Sequence, residues 1–216
     1  MTTSIKPQLQ VELLTPETVE DPGGAWPLHG NPQEDWAWRK DVFAPHELDT
    51  IIKMAESLEF VSGRTGADMG QKQDTVTRNS GVKFIFPNAL TSWVFQKLAG
   101  AVIQTNEQFF NFDLSGFEQG LQLTRYDADG EQHYDWHIDR GQQTGGRKLS
   151  LTVQLSDPND YEGGNLELKY GTDNVVASRE RGLITFFPSY VLHRVTPVTK
   201  GTRYSLVAWV SGPPFK

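Results

Sequence analysis

The chain has 216 residues, of which 37% are apolar and 22% charged, so it is long enough to bury one substantial core. It contains no cysteine, which excludes disulfides and thiolate metal sites, and we expect a cytoplasmic location. The formal net charge of −7 makes a nucleic-acid partner unlikely, because phosphate binding needs a positive surface. We expect no membrane segment and no secretory signal, since no apolar run is long enough to cross a bilayer and the first residues lack a basic segment followed by an apolar one.

The N-terminal part of the chain predicts loops and two helices. Residues 1–40 are rich in proline, glycine and acidic side chains, and we expect an irregular segment packed on the domain. A helix is predicted from Pro45 to about Leu58, because proline suits the first helical position and an apolar stripe follows it. A second helix is predicted from Asn88 to Phe110. Gly63 to Asn79 is interpreted as a mobile loop, and Arg78 as part of a solvated strand edge in preference to a substrate contact.

From Leu121 onwards, the apolar residues recur with period two. Turn-forming glycine, proline, aspartate and asparagine residues separate the alternating segments. The predicted strands are Leu121–Tyr126, Leu149–Leu155, Leu166–Leu168, Gly182–Phe187 and Tyr204–Trp209. Short strands at this spacing after two helices predict a mainly β fold, a double-sheet jelly roll with the helices packed outside one sheet.

The segment His137-Ile138-Asp139, with His193 further along the chain, is the clearest chemical signal. Residues two apart on a strand point to the same side, so His137 and Asp139 can face one ion. Two histidines and one carboxylate form the facial triad of iron(II) oxygenases, which leaves coordination positions open. By itself, a His-x-Asp tripeptide is explained by a strand with a polar face, and His193 by a hydrogen-bonded structural histidine. The three residues together favour a metal site. The other histidines are interpreted as structural or surface residues: His29, His46 and His133.

Arg203 follows His193 by ten residues and adds a possible anion site. A co-substrate such as 2-oxoglutarate would chelate the iron and leave its far carboxylate in need of a fixed cation. Arginine offers a planar fork for such a carboxylate, and Ser205 shares its strand face. An exposed arginine at a strand start is the alternative, but the spacing to His193 favours the binding role.

From Leu121 to Val210 the chain resembles the prolyl 4-hydroxylase-like branch of the iron(II)/2-oxoglutarate-dependent oxygenases. The resemblance rests on an ordered set of motifs: Arg125-Tyr126, Gly130, Tyr134-Asp135-Trp136-His137-Ile138-Asp139, Arg147-Lys148-Leu149-Ser150-Leu151, Asp157-Pro158, Gly163-Gly164-Asn165-Leu166, Gly182, Phe186-Phe187-Pro188-Ser189, His193-Arg194-Val195 and Gly201-Thr202-Arg203-Tyr204-Ser205. It implies a double-stranded β-helix that spans residues 41–216 as one oxygenase domain, with its catalytic core at about residues 120–210.

The resemblance also implies a site and a reaction. His137, Asp139 and His193 would hold Fe(II), and Arg203 would bind the distal carboxylate of 2-oxoglutarate with help from Tyr126. The enzyme would use dioxygen, with ascorbate as an accessory reductant, to hydroxylate an amino-acid side chain in a protein, a peptide or a free amino acid, releasing succinate and carbon dioxide. Collagen-type members usually carry lysine at the position of Arg203, so the chain looks closer to bacterial and viral members. The stretch from Tyr126 to Tyr134 is slightly longer than usual, which weakens the role of Tyr126.

Three other readings stay open at this point. A demethylase of alkylated nucleic acid uses the same triad but also needs a basic groove, which the net charge disfavours. A non-catalytic jelly-roll binding module would bind neither iron nor 2-oxoglutarate. A simple metal-dependent cupin enzyme gives Arg203 no role. The sequence does not distinguish among prolyl, other peptidyl and free amino-acid substrates, and it leaves the oligomeric state undefined.

Overall fold

The computed structural model describes residues 35–63, 75–117, 119–141 and 144–215. These ranges contain two α-helices, α1 (Pro45–Glu56) and α2 (Ser92–Thr105). The strands, in chain order, are β1 (Ala37–Arg39), β2 (Val61–Ser62), β3 (Arg78–Asn79), β4 (Gly81–Ile85), β5 (Gly116–Phe117), β6 (Leu121–Asp127), β7 (His133–His137), β8 (Arg147–Gln154), β9 (Tyr161–Gly163), β10 (Leu166–Tyr170), β11 (Asp173–Val176), β12 (Ile184–Pro188), β13 (Leu192–Val195) and β14 (Val198–Ser211).

The strands form two antiparallel sheets. The larger sheet has the order β1-β12-β8-β14-β6-β4-β2, and β5 and β9 also pair with β14. The smaller sheet has the order β11-β10-β13-β7-β3. Two antiparallel sheets with crossed connections are the architecture of a jelly roll, so the predicted fold class is confirmed.

The central strands β6, β8, β12 and β14 of the larger sheet each have an apolar face that packs against the helices. On β8, Leu149, Leu151 and Val153 are fully buried in a cluster that also contains residues of α1 and α2. The alternate residues on β8 point into the molecule, where Thr152 lines a cavity. The period-two pattern therefore places polar side chains inside the jelly roll, and some of them contribute to the site described below.

The first helix begins where the sequence predicts it. Pro45 occupies the first turn, where its missing N–H costs no hydrogen bond, and the preceding Ala44 N–H donates to the Glu47 carboxylate. The helix buries Leu48 and Ile51 against the larger sheet. It ends at Glu56, two residues before the predicted end.

The second helix begins four residues later than predicted. The Asn88 N–H donates to Thr91 Oγ1 and the Leu90 N–H donates to Asn88 Oδ1, so these residues form a side-chain-stabilised turn before α2. Asparagine and threonine compete with the helical backbone in this way, which the apolar periodicity does not reveal. At the other end, Asn106–Phe110 continues α2 as a π-helical turn.

The prediction for residues 1–40 falls mostly on residues 1–34, which lie outside the described ranges. Ala37–Arg39 pairs antiparallel with β12 at the edge of the larger sheet. The described residues all belong to one compact unit, residues 33–216. The loop predicted between Gly63 and Asn79 falls mostly on residues 64–74, also outside the description. Neither α1 nor α2 has the length and apolar character needed to cross a membrane.

Candidate active site

His137, Asp139 and His193 converge between the two sheets. His137 ends β7 and His193 lies directly opposite it on β13, so strand pairing brings the two imidazoles together. The distance from His137 Nε2 to Asp139 Oδ1 is 3.8 Å, and that from His193 Nε2 to Asp139 Oδ2 is 3.5 Å. One ligand atom from each residue lies within 4.8 Å of the others. The three residues that the sequence singled out therefore form one cluster.

Backbone carbonyls set the tautomer of both histidines. Nδ1 of His137 lies 2.7 Å from the Asp135 carbonyl oxygen, and Nδ1 of His193 lies 2.9 Å from the Val191 carbonyl oxygen. Because a carbonyl only accepts, each Nδ1 carries the proton and each Nε2 presents its lone pair to the centre of the cluster. This orientation is the one that metal-binding histidines adopt.

The Asp139 carboxylate is held by a chain of serine hydroxyls. Ser150 Oγ donates to Asp139 Oδ2 at 2.7 Å and lies 2.9 Å from Ser189 Oγ. Both serines are fully buried. The backbone N–H of Asp139 donates to the Ser189 carbonyl, which fixes the chain where it leaves β7. These contacts restrict the carboxylate to one orientation, as second-shell partners of a metal ligand do.

The protonation states suit a metal site. Burial, together with the neighbouring His193, lowers the pKa of His137 to about 3, so this imidazole is neutral. Burial alone would raise the pKa of Asp139, but the two histidines and the Ser150 hydroxyl bring it below its ordinary value. The cluster thus offers a neutral imidazole at His137 and an ionised carboxylate at Asp139.

Arg203 lies deeper in the same cavity and is almost completely buried. Its side chain is 2% exposed, and neither Nε nor Nη1 has a hydrogen-bond partner among the described residues. Tyr126 faces it across the strand pair β14–β6, with the guanidinium carbon 5.6 Å from the ring centroid. Ser205, also buried, lines the cavity two residues further along β14. A buried cation with unused donors is costly, so this arrangement calls for an anion.

Gly164 makes room for the stem of Arg203. Its φ is +60°, and a Cβ at this position would lie 2.9 Å from Arg203 Cδ and 2.9 Å from Val198 Cγ2. An L-residue would therefore be strained in its backbone and would collide with the arginine. The second glycine of Gly163-Gly164 is thus required by the close approach of Arg203.

The cavity has a volume of about 1200 Å³ and contains all six residues that the sequence proposed for the site. Trp209 also lines it, whereas Trp136 is covered by Arg194 and Lys169 instead.

The interpretation of Arg78 as a solvated edge residue is wrong. β3 is the edge strand of the smaller sheet, but the Arg78 side chain is 7% exposed and lines the cavity.

Sequence reasoning did not assign a role to three residues that support the cluster. Ser150 holds Asp139, as described above. Arg147 donates to the Asp139 carbonyl and stacks on Trp209 at 3.9 Å. Tyr134 stacks on His137 with 3.4 Å between ring centroids. The polar positions of the alternating β8 pattern could have indicated Ser150, and the motif that begins at Tyr134 and ends at Asp139 could have indicated Tyr134.

The remaining histidines do not join the cluster. His133 bonds through both ring nitrogens to backbone carbonyls, and His46 is exposed on α1. His29 lies outside the described residues. Within the described ranges, the triad is the one group of histidine and acidic side chains with metal-ligand spacing.

Comparison with known proteins gives consistent results. Residues 121–211 match the model of the 2OG-Fe(II) oxygenase superfamily. A PKHD-type hydroxylase of Gloeothece citriformis is 31% identical over 172 residues, which cover 78% of this chain and 74% of that protein. Another PKHD-type hydroxylase, from Synechococcus sp., is 35% identical over 158 residues, 72% of this chain and 68% of that protein.

Solved structures share the fold at low sequence identity. A Pseudomonas putida prolyl-4-hydroxylase superposes with a TM-score of 0.66 at 18% identity, covering 83% of this chain and 93% of that one. A Trichoplax adhaerens prolyl hydroxylase in complex with a hypoxia inducible factor peptide fragment superposes with a TM-score of 0.68 at 17% identity, covering 82% and 83%. The sequence relatives and the superfamily match together show that the chain belongs to the PKHD-type hydroxylases of the 2OG-Fe(II) oxygenase superfamily.

Proposed function

We propose that this hydroxylase holds Fe(II) with His137, Asp139 and His193, binds 2-oxoglutarate with Arg203, and hydroxylates an amino-acid side chain within a polypeptide. The observation that carries the proposal is one cavity that contains both the three-residue cluster and a buried arginine with unused donors. The first feature fits a divalent metal and the second fits a carboxylate. A jelly-roll binding module without catalysis gives neither feature a purpose.

The donor set fits iron. Two imidazole nitrogens and a carboxylate oxygen, on one side of an open cavity, form the facial triad that leaves positions for a co-substrate and dioxygen. Bound iron, with 2-oxoglutarate and dioxygen, supplies the oxidation that places one oxygen atom in a C–H bond and the other in succinate, with release of carbon dioxide. The protein contributes ligands whose protonation and orientation are set in advance by Asp135, Val191 and Ser150.

Arg203 would pair with the far carboxylate of 2-oxoglutarate. Its unused Nε and Nη1 donors are both buried and available to an anion in the cavity, which the far carboxylate of 2-oxoglutarate would supply. Tyr126 and Ser205 line the same part of the cavity and are proposed as further contacts to this carboxylate. Burial raises the pKa of Tyr126, so its hydroxyl stays protonated and able to donate. The buried setting also excludes water, which strengthens the ion pair.

The size and rim of the cavity favour a polypeptide substrate. Pockets for small molecules have volumes of roughly 300–1000 Å³, whereas this cavity reaches about 1200 Å³. Four apolar side chains line it while remaining 37–61% exposed: Val61, Phe84, Phe86 and Ile138. Exposed apolar side chains around a catalytic cavity suit an extended chain better than a single charged amino acid. The peptide bound to the Trichoplax prolyl hydroxylase is consistent with this choice.

The test is anaerobic reconstitution with Fe(II) and 2-oxoglutarate, followed by exposure to oxygen and measurement of succinate, with and without ascorbate. We expect slow succinate formation without substrate and faster formation with a peptide library, accompanied by peptides heavier by one oxygen atom. Free amino acids and a methylated oligonucleotide serve as comparison substrates. Stimulation by these compounds alone would overturn the polypeptide assignment, and absence of succinate under all conditions would overturn the activity.

A further inference from the structure

Beside the metal cluster, the planar side chain of Tyr134 contacts two other planar groups, the guanidinium of Arg78 and the imidazole of His137. The Arg78 guanidinium carbon lies 4.5 Å from the centroid of the Tyr134 ring. The His137 ring also stacks on Tyr134, with 3.4 Å between the ring centroids and 14° between the planes. His137 in turn presents Nε2 to Asp139. The plane of this imidazole is therefore parallel to a ring that does not touch the metal position.

An irregularity in β7 creates the stack. His193 pairs with His137, but Val195 pairs with Tyr134, so β7 has one more residue than β13 between these pairs. On a regular strand, residues three apart point to opposite faces. The extra residue is a β-bulge, which brings Tyr134 and His137 to the same face, and bulges commonly redirect side chains beside active sites.

Arg78 is fixed in position against Tyr134. It lies opposite Tyr134 in the β3–β7 pairing, and its Nε donates to Ser80 Oγ at 3.0 Å. Gly63 packs directly on it, because a Cβ at residue 63 would lie 2.5 Å from Arg78 Nε. A desolvated guanidinium over a tyrosine ring is attracted by the ring quadrupole more strongly than it would be in water. Arg78 therefore restrains the Tyr134 ring against which His137 rests.

We propose that Tyr134 and Arg78 are positioning residues for the metal ligand His137. The stack prevents the imidazole from rotating about its Cβ–Cγ bond and keeps Nε2 directed at the metal. The Asp135 carbonyl fixes the edge of the ring, and Tyr134 fixes its plane. This inference rests on the proposed function, because it requires His137 to be a metal ligand.

The test measures metal binding directly, without turnover. Apoprotein is titrated with Co(II), whose visible absorption reports both affinity and ligand geometry. We expect Tyr134→Phe, which keeps the ring, to bind within about twofold of the wild type, and Tyr134→Leu to bind roughly 10-fold to 100-fold more weakly with an altered spectrum, as for other second-shell changes. Arg78→Met should weaken Co(II) binding by roughly 3-fold to 10-fold.

Arg194→Met is the matched control. Arg194, on β13, stacks on Trp136 of β7 at 4.7 Å and also pairs with Glu167, and neither Arg194 nor Trp136 lines the cavity. This variant loses a comparable cation–π contact and should bind Co(II) as the wild type does. Equal weakening in Arg194→Met and Arg78→Met would mean general destabilisation and would overturn the proposal.

Wild-type affinity and spectrum in both Tyr134→Leu and Arg78→Met would also overturn it, even if turnover fell, because the residues would then act only on substrate. If Tyr134→Leu does not fold, Arg78→Met and Tyr134→Phe decide the question by the same criteria. His193→Ala is measured in parallel. Undiminished Co(II) binding in that variant would count against the proposed function itself and would be separable from a failure of the stack.

Discussion

Arg203 shows how one residue can indicate a ligand. An almost fully buried guanidinium with unused donors would destabilise the fold unless an anion occupied the adjacent space for part of the protein's working cycle. Arg203 lies on β14 and His193 on the preceding strand β13, and both line the same cavity. Arg203 therefore separates an oxygenase that uses 2-oxoglutarate from a metal enzyme that does not.

Replacing Arg203 should separate co-substrate binding from metal binding. Arg203→Ala removes a buried charge-assisted pair worth about 2–4 kcal/mol, so KM for 2-oxoglutarate should rise roughly 30-fold or more while Fe(II) binding is retained. Arg203→Lys keeps the charge but not the fork and should be less affected. Succinate formation at several 2-oxoglutarate concentrations measures the effect. An unchanged KM in Arg203→Ala would show that the carboxylate binds elsewhere.

Ser150 is expected to matter through Asp139. Ser150→Ala removes the hydroxyl that donates to Oδ2, so the metal affinity should fall roughly 10-fold to 100-fold. Ser156→Ala is the comparison, since Ser156 is also buried and accepts a backbone N–H from Tyr204 outside the cluster. Isothermal titration with Mn(II) gives both affinities. Equal affinities in the two variants would remove Ser150 from the site.

At the scale of elements, sequence periodicity predicted much of the sheet and the first helix. The alternation of apolar residues predicted β6, β8, β12 and β14, because each of these strands packs one apolar face against the helices. The spacing of His137, Asp139 and His193 predicted the cluster. The β7 bulge and the burial of Arg78 could not be predicted, because both depend on the pairing of β7 with β13 and β3 across the chain.

Two glycines with the same backbone conformation test how the turn before β10 positions Arg203. Gly164 and Gly171 have φ of +60° and +61°. A Cβ added at Gly164 would lie 2.9 Å from Arg203 Cδ, whereas a Cβ added at Gly171 would have no atom within 4 Å. Both alanine variants should lose about 1–3 kcal/mol of unfolding free energy through backbone strain. Gly164→Ala should lose more and should also raise KM for 2-oxoglutarate. Denaturant unfolding and succinate assays compare the two; identical behaviour would contradict the packing argument.

For the whole molecule, the ligands should stabilise the fold because the site joins both sheets. Mn(II) alone, at a concentration about 100-fold above its dissociation constant, should add about 2.7 kcal/mol. For a domain of this size the increase in Tm is about 5–10 °C. His193→Ala should show no increase. A thermal scan in which wild type and variant respond equally would mean that the metal binds outside the cluster.

The central claim is that one cavity holds iron at the triad and 2-oxoglutarate between the triad and Arg203. The most direct measurement is an anomalous-difference map from crystals grown anaerobically with Fe(II) and 2-oxoglutarate. The account predicts a single strong peak within bonding distance of Nε2 of His137, Nε2 of His193 and a carboxylate oxygen of Asp139. It also predicts that the far carboxylate of 2-oxoglutarate lies against Arg203. A peak at another position, or 2-oxoglutarate directed away from Arg203, would contradict it.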